Sequence, residues 1–266
     1  MPIISCFMGK GGVGKTTLSV ELAHACQEAG KKVCIVGLDQ QHNAADVLRS
    51  RKYEIPYFGL YAWDRMSAMV QYIVDNTFMK QFKEYVPLVA PDFITLCALS
   101  ELLVDHAGEY DAIVIDFPPN HAGLSMLNAP DLLSTWAWKA YTVKGRVKRL
   151  LGKTDAVLDN AEYLWNTVKA FKAAIKGARM WAVTLPAELS VAESLKLVEF
   201  LRKNEYNVAG FVLNRFPGDT CECYPCRKAR EEAVDWYVYL QQRARAFQVP
   251  VVVVGDGRFS DVEKLV

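Results

Sequence analysis

A glycine-rich stretch near the start of the chain has the residue types and spacing of a phosphate-binding loop. It runs from Gly9 to Thr17 with the sequence GKGGVGKTT. Glycines let backbone N–H groups turn onto phosphate oxygens, and the N-terminus of a following helix adds partial positive charge. The pattern predicts that Lys15 reaches the β- and γ-phosphates of ATP and that the Thr16 hydroxyl ligates Mg²⁺. The predicted nucleotide-binding residues of this loop are Gly9, Lys10, Gly11, Gly12, Val13, Gly14, Lys15, Thr16 and Thr17.

A second group of reactive side chains is the cysteine cluster, Cys221, Cys223 and Cys226, in a polar segment. The C-x-x-C spacing of the last two suits either a metal site or a redox pair with Cys221 as a third thiol. One such pair supplies two thiolates, whereas a structural Zn²⁺ takes four, and a twofold dimer would supply the rest. The remaining cysteines lie in apolar segments and are predicted to be small buried hydrophobes: Cys6, Cys26, Cys34 and Cys97.

The elements that must position these residues alternate between strand and helix along the chain. This alternation predicts an α/β fold, a doubly wound, mostly parallel sheet of the P-loop NTPase type with helical insertions. The predicted strands are Ile3–Phe7, Lys32–Leu38, Ala112–Asp116, Met180–Thr184, Asn207–Asn214 and Val249–Val254. The predicted helices are Lys15–Ala29, Val191–Asn204, Cys226–Phe247 and a last one over Asp261–Val266. Ser190 and Glu193 have the spacing of a capping box for the second of these helices.

Two stretches fall outside the alternation, at approximately 50–92 and 124–176, and both are rich in methionine or in aromatic residues. We interpret them as helical insertions in a single domain that covers residues 1–266. Methionine suits adaptable apolar grooves, although such residues also serve simply to pack a helix against a core. The insertions are therefore either a binding surface or ordinary packing helices.

The bulk properties narrow the class of protein. The net charge of +1 gives no reason to expect a nucleic-acid partner. The N-terminal segment MPIISCFMGKGG lacks the features of a signal peptide, and the longest apolar runs are too short to cross a bilayer. We therefore expect a cytoplasmic protein.

The early lysine of the glycine loop, Lys10, narrows the interpretation of that loop. With it, GKGGVGKTT resembles the deviant Walker A ATPases, which include the nitrogenase iron protein, the MinD/ParA proteins and the arsenite-pump ATPases. In that class the early lysine crosses a dimer interface to the partner's nucleotide. The resemblance implies an ATP-dependent homodimer in which Lys10 and Lys15 both take part in catalysis.

Downstream segments resemble the arsenite-pump and tail-anchored-protein-targeting ATPases more narrowly. The segment DQQHNAAD, from Asp39 to Asp46, is similar to their switch I, and DFPPN is similar to their switch II at Asp116 and Pro119. The resemblance implies that Asp46 activates the attacking water and that Asp39 and Asp116 hold Mg²⁺ through water. Gln40 and Gln41 depart from the family's proline and alanine.

The C-terminal half carries four further matches. Two family segments resemble LPAELSVAE, at residues 185–193, and VLNR, at residues 212–215. The resemblance of VLNR implies that Asn214 contacts adenine. Val249-Pro250, followed by Gly255-Asp256, resembles the loop that closes over adenine, which implies that Pro250 contacts the base. The run CYPCRKAR matches the family's C-x-x-C-R-x-x-R, which implies a Zn²⁺ at the dimer axis held by Cys223 and Cys226 of both protomers.

Three functions are compatible with these features. The first is a homodimeric targeting ATPase that binds hydrophobic transmembrane segments of tail-anchored or similar clients and delivers them to a membrane receptor. The second is an arsenite-transport ATPase subunit, disfavoured because no cysteine lies between Cys97 and Cys221. The third is a MinD/ParA-like organiser or a metallocentre-insertion ATPase.

Overall fold

The computed structural model describes residues 2–38, 43–60, 106–119, 122–127, 172–218, 221, 223–255 and the isolated positions 95, 99, 102, 103, 169, 262 and 265. The strands are β1 (Ile3–Gly9), β2 (Val33–Gly37), β3 (Tyr57–Gly59), β4 (Ala112–Asp116), β5 (Arg179–Thr184), β6 (Val208–Phe216) and β7 (Val251–Gly255). The helices with defined bounds are α1 (Lys15–Glu28), α2 (Asn43–Arg51), α3 (Glu188–Lys203) and α4 (Tyr224–Ala246), with a 3₁₀ turn at Ala107–Glu109. Residues 122–127 and 172–177 are also helical.

The seven strands form one sheet in the order β3-β2-β4-β1-β5-β6-β7. Every pairing is parallel. β1 therefore lies at the centre, with β4 on one side and β5 on the other. The carboxyl ends of parallel strands meet at one edge of a sheet, where ligands of α/β proteins bind. The predicted α/β fold with a parallel sheet is confirmed.

Apolar packing holds the phosphate-binding end of β1 in place. α1 lies against β1, β2 and β4, and its buried residues include Leu18, Val20 and Leu22. Strands β1, β2 and β4 are almost continuously apolar because both of their faces are covered. Trp181 of β5 and Val212 of β6 join the same core.

The start of α3 differs from its prediction. The helix begins at Glu188 rather than Val191, and its N-cap is Ala187, which forms no side-chain cap. Ser190 is buried and lies within the first turn, where its Oγ accepts a hydrogen bond from the backbone N–H of Leu185 at 2.9 Å and bonds Thr184 Oγ1 at 2.9 Å. The predicted capping box is therefore wrong, because Ser190 ties the β5–α3 turn together instead.

The chain divides into two compact units. The first comprises Met1–Gly59, Gly108–Gly123 and Lys176–Val266, and it contains the whole sheet. The second comprises Leu60–Ala107 and Leu124–Ile175. The predicted helical insertions lie for the most part outside the described residues, as does the predicted helix over Asp261–Val266. Tyr57–Gly59, at the start of the first predicted insertion, form the edge strand β3.

Candidate functional site

The glycine loop connects the carboxyl end of β1 directly to α1. Gly12 and Gly14 have φ angles of 81° and 92°, in the left-handed region that disfavours any residue with a Cβ. Gly14 is also the N-cap of α1 and offers no side chain to the first turn of the helix. The N–H groups of that turn, which most helices satisfy with a capping side chain, are therefore left for a bound anion.

An open cleft of about 280 Å³ lies beside this loop. Its walls come from the glycine loop and first turn of α1, the start of α2 and the segment after β4: Gly11, Gly12, Lys15, Thr16, Asn43, Phe117 and Pro119. The cleft thus joins the phosphate loop to both predicted switch segments. Asn43 and Phe117 lie inside the predicted switch segments DQQHNAAD and DFPPN, although neither is predicted individually as a site residue.

Lys15 is held in the base of this cleft. Its side chain is almost buried, and Nζ donates a hydrogen bond to the backbone carbonyl of Lys10 at 3.1 Å. The ammonium group therefore lies under the loop, where a phosphate would accept from it. Thr16, the next residue, also lines the cleft, as a Mg²⁺ ligand of a P-loop must.

Lys10 points away from its own loop and forms an ion pair with Glu193 of α3. Lys10 Nζ lies 3.3 Å from Glu193 Oε1, and the two side chains are 40% and 33% exposed. Charges this accessible to water attract each other weakly, so the pair can exchange for another partner. The pairing occupies the lysine within its own chain.

Asp116 ends β4, directly beside the strand that leads into the glycine loop. Asp116 pairs with Phe7 in the β1–β4 register, and its side chain is buried. Its backbone carbonyl accepts a hydrogen bond from the N–H of Leu38 at 3.1 Å. A buried carboxylate one strand from the Thr16 hydroxyl fits the hard oxygen ligands that Mg²⁺ takes. Asp39, the other predicted acid, lies outside the described residues.

Asp46 lies in the first turn of α2 and does not line the cleft, whereas Asn43 of the same turn does. The Asp46 carboxylate is 67% exposed and lies 3.2 Å from Arg49 Nη2. The structure therefore brings the helix of Asp46, but not its carboxylate, to the phosphate loop. Its role as the group that activates water stays a prediction.

Asn214 is bound to the glycine loop itself. Its Nδ2 donates to the backbone carbonyl of Val13 at 2.8 Å, and the side chain is buried. Asn214 lies where the β6–β7 register shifts, between Leu213 and Phe216, and the next residue, Arg215, has a φ of 54°. A Cβ on Gly14 would collide with the same amide. The contact with adenine stays a prediction, and the bond to the loop was not foreseen.

Pro250 lies away from the cleft, which corrects its predicted position. It precedes the first residue of β7, and its carbonyl accepts from the N–H of Phe211 at 3.0 Å. In a parallel sheet, residues at the amino end of a strand lie at the opposite edge from the phosphate loop, which follows the carboxyl end of β1. The carboxyl end of β7 is at Gly255, and residues 256–261 lie outside the described ones.

The cysteine cluster surrounds the N-terminus of α4. Cys223 is the N-cap, Cys226 lies in the first turn, and the three sulfur atoms, including that of Cys221, lie within 4.8 Å of one another. Cys221 Sγ and Cys223 Sγ are 3.2 Å apart. Hydrogen bonds within the cluster lower the pKa of Cys221 and raise that of Cys226 to about 11. Three convergent thiols fit the ligand preference of Zn²⁺.

The other described cysteines behave as predicted from their apolar surroundings. Cys6, Cys26 and Cys34 are buried in the core and free, and burial raises the pKa of Cys34 to about 12. Cys97 lies outside the described residues. Within the described part of the chain, no helix has the length and apolarity needed to cross a membrane.

Comparison with known proteins gives a consistent result. The AAA domain model AAA_31 matches residues 1–162. The chain is 28% identical over 243 residues to the Chlamydomonas reinhardtii protein "ATPase ARSA2", covering 78% of this chain and 66% of that one. It is 25% identical to "ATPase ASNA1 homolog 2" of Paramecium tetraurelia, over 87% of this chain and 82% of that protein. It is 22% identical to "ATPase get3" of Schizosaccharomyces pombe, over 92% of this chain and 84% of that protein.

Proposed function

The chain belongs to the AAA_31 family of AAA domains, a P-loop ATPase family, and we propose that it works as a homodimeric switch driven by Mg²⁺-ATP hydrolysis. The observation that carries this proposal is the pair of lysines on one glycine loop. Lys15 lies under the loop, while Lys10 extends outward to a partly exposed ion pair. This arrangement supports a role for Lys15 at the chain's own phosphates and for Lys10 at those of a second protomer.

The proposed reaction is attack of water on the γ-phosphorus of ATP with cleavage of its bond to the β–γ bridging oxygen, which gives ADP and inorganic phosphate. Lys15 and the N–H groups at the start of α1 bind the phosphate oxygens. Asp46, on α2, would orient the water and accept its proton. Mg²⁺, held by Thr16 and through water by Asp116, would neutralise the charge that develops on the phosphates.

The dimer enters this proposal through Lys10. Its positive charge has most effect where negative charge accumulates during phosphoryl transfer, which is the γ-phosphate in the partner protomer. Release of Lys10 from Glu193 would then accompany closure of the dimer. Because closure depends on a nucleotide that hydrolysis removes, the assembly would switch between two states.

We propose that the work done by this switch is the binding and release of hydrophobic membrane-protein segments, such as those of tail-anchored proteins, for transfer to a membrane receptor. The support is the similarity of the glycine loop, switch segments and C-x-x-C run to targeting ATPases, together with the methionine- and tryptophan-rich stretches. The cytoplasm is the compartment where such a client would be met, and the free thiols suit its reducing conditions.

The zinc part of the proposal rests on the cysteine cluster. In the simplest form, Cys223 and Cys226 of two protomers share one ion at the twofold axis and join the protomers. Both residues lie at an exposed helix end, which is accessible to a second copy of the chain.

A co-purification experiment tests the client role. Asp46→Asn, which should retain ATP and the closed dimer, is co-expressed with a tagged transmembrane helix from a tail-anchored protein. We expect the tagged helix to co-purify with the Asp46→Asn dimer and not with Lys15→Ala, which should bind no ATP. A nucleotide-bound dimer that carries no helix would contradict the client role and leave the ATPase switch in place.

A further inference from the structure

The cysteine cluster contains one thiol more than a site shared between two C-x-x-C pairs would use. Cys221 lies outside the C-x-x-C pair, yet its sulfur is 3.2 Å from that of Cys223 and within 4.8 Å of that of Cys226. Two exposed free thiols and a third half-buried one at the same spot are an oxidation liability unless a ligand occupies them. The arrangement therefore calls for a function that uses all three sulfur atoms.

The spacing of the sulfur atoms suits a single metal ion. With Zn–S bonds of about 2.3 Å, thiolates in a tetrahedral site lie about 3.8 Å apart. The closest pair in the cluster, at 3.2 Å, and the outer bound of 4.8 Å lie on either side of that value. Shifts of less than about 1 Å would bring three sulfur atoms around one ion.

The backbone that carries Cys221 is fastened to α4 by Arg230. Arg230 Nη2 donates to the carbonyl of Gly218 at 2.9 Å and to the carbonyl of Cys221 at 3.3 Å. Arg230 lies one turn after Cys226 on the same helix, so the third thiol is held against the other two from within the chain. Pro225 in the first turn further restricts the backbone between Cys223 and Cys226.

Charge favours three thiolates at this position. Zn²⁺ with three thiolates carries a net charge of −1, and the site lies at the positive end of the α4 dipole with the Arg230 guanidinium bonded to its loop. A negatively charged site is thus compensated by groups of its own protomer. No charge from a second chain is required.

We propose that Cys221, Cys223 and Cys226 form a three-thiolate Zn²⁺ site within each protomer, so that each chain binds one Zn²⁺ before any dimer forms. This rests on Zn²⁺ binding at the cluster, as in the proposed function, and changes the stoichiometry from one ion shared by two C-x-x-C pairs to one ion in each chain. The fourth position around the metal is then left to water or to a donor from the partner subunit. A chain loaded in this way brings its metal to the dimer interface instead of meeting it there.

Metal stoichiometry distinguishes the two arrangements. The full chain is purified with reductant, stripped of metal, titrated with Zn²⁺ in the absence of nucleotide, and measured by native mass spectrometry. We expect one Zn²⁺ on each monomer, whereas a shared Cys₄ site gives one ion on a dimer only. Cys221→Ser should weaken binding to the monomer by at least about tenfold, because one of three thiolates is lost. Cys26→Ala, which removes a buried thiol outside the cluster, is the matched control.

Cd²⁺ provides a second measurement that counts ligands. The ultraviolet thiolate-to-metal band of the Cd²⁺-saturated protein should fall by about one third in Cys221→Ser and stay unchanged in Cys26→Ala. Binding of ATP by each variant shows that it has folded, which keeps a loss of metal from being mistaken for unfolding.

Two results would overturn the three-thiolate site. One is Zn²⁺ bound only to dimers at one ion per two chains and insensitive to Cys221→Ser. The other is reduced protein that binds no Zn²⁺ and forms a disulfide within the cluster on exposure to air. Hydrolysis of ATP is measured on the same samples, so that loss of the metal site and loss of the proposed ATPase switch are told apart.

Discussion

Lys10 Nζ lies 3.3 Å from Glu193 Oε1 of the same chain. The lysine that distinguishes this glycine loop from an ordinary P-loop is therefore engaged in an intramolecular ion pair with α3. Both side chains are more than 30% exposed, so the pair contributes at most about 1 kcal/mol. An interaction of that size can hold the lysine in one protomer and still be exchanged for the nucleotide of another.

Replacing Glu193 should favour the closed dimer. Glu193→Gln removes the competing charge, and we expect the protein concentration for half-maximal dimer formation with ATP to fall by about two- to fivefold. Analytical ultracentrifugation with a non-hydrolysable ATP analogue measures it. Glu199→Gln, on the exposed face of the same helix, is the matched control. Weaker dimer formation in Glu193→Gln would mean that the glutamate supports the active state instead.

Asn214 should act on the glycine loop regardless of the base of the nucleotide. Asn214→Ala leaves the buried carbonyl of Val13 without its 2.8 Å bond. We expect a loss of about 1–3 kcal/mol, seen as a Tm lower by about 3–10 °C, and weaker binding of both ATP and GTP. Differential scanning fluorimetry and nucleotide titrations measure the two effects.

The control for that variant is Asn207→Ala, at the exposed start of the same strand segment, where Nδ2 bonds the carbonyl of Gly177 at 3.3 Å. It should change Tm by less than about 2 °C. A loss of affinity for ATP alone, with GTP and Tm unaffected, would show that Asn214 serves the adenine ring and not the loop.

Lys15 should be required for nucleotide binding. Lys15→Ala removes the ammonium group beneath the loop, and affinity for ATP should fall by about 10- to 100-fold because charge-assisted bonds to phosphate are lost. Isothermal titration calorimetry measures it, with Lys228→Ala on the exposed face of α4 as control. If Lys15→Ala bound ATP with unchanged affinity, the cleft beside the glycine loop would not be the nucleotide site.

Asp46 should be required for hydrolysis and not for binding. We expect Asp46→Asn to lower the rate constant of single-turnover hydrolysis by about 10²–10⁴-fold, the usual contribution of a general base, with ATP affinity within about twofold of the parent. Because Arg49 pairs with Asp46 here, Arg49→Ala tests whether that contact restrains the carboxylate. Full activity in Asp46→Asn would assign the base to another group.

The sequence predicts the parts of this molecule that depend on local pattern. The glycine loop is recognisable because the positive φ angles at Gly12 and Gly14 favour glycine, and β4 matches its prediction because four consecutive apolar residues lead to Asp116. The sequence does not predict the order of the strands or the edge strand β3, since three residues carry too little periodicity to identify a strand.

Side-chain partners were predicted less well, because they depend on tertiary contacts. Glu193 has the spacing of a capping residue for Ser190, yet it pairs with Lys10, and Ser190 bonds the preceding turn. Asn214, whose Nδ2 bonds the carbonyl of Val13, lies within a shift of the β6–β7 register that local pattern does not predict. The resemblance of Val249-Pro250 and Gly255-Asp256 to an adenine loop implies a contact for Pro250, whereas strand direction puts Pro250 at the opposite edge of the sheet from the phosphate loop.

Complementation between two inactive variants tests whether Lys10 of one protomer acts on the nucleotide of the other. Lys10→Ala and Asp46→Asn are each expected to be inactive as homodimers, although both bind ATP. When equal amounts are mixed, a heterodimer contains one intact site, with Asp46 from the first variant and Lys10 from the second. We expect mixing to restore about a quarter of the parent ATPase activity, since half of the dimers are mixed and each has one working site. A mixture as inactive as its two components would contradict action across the dimer.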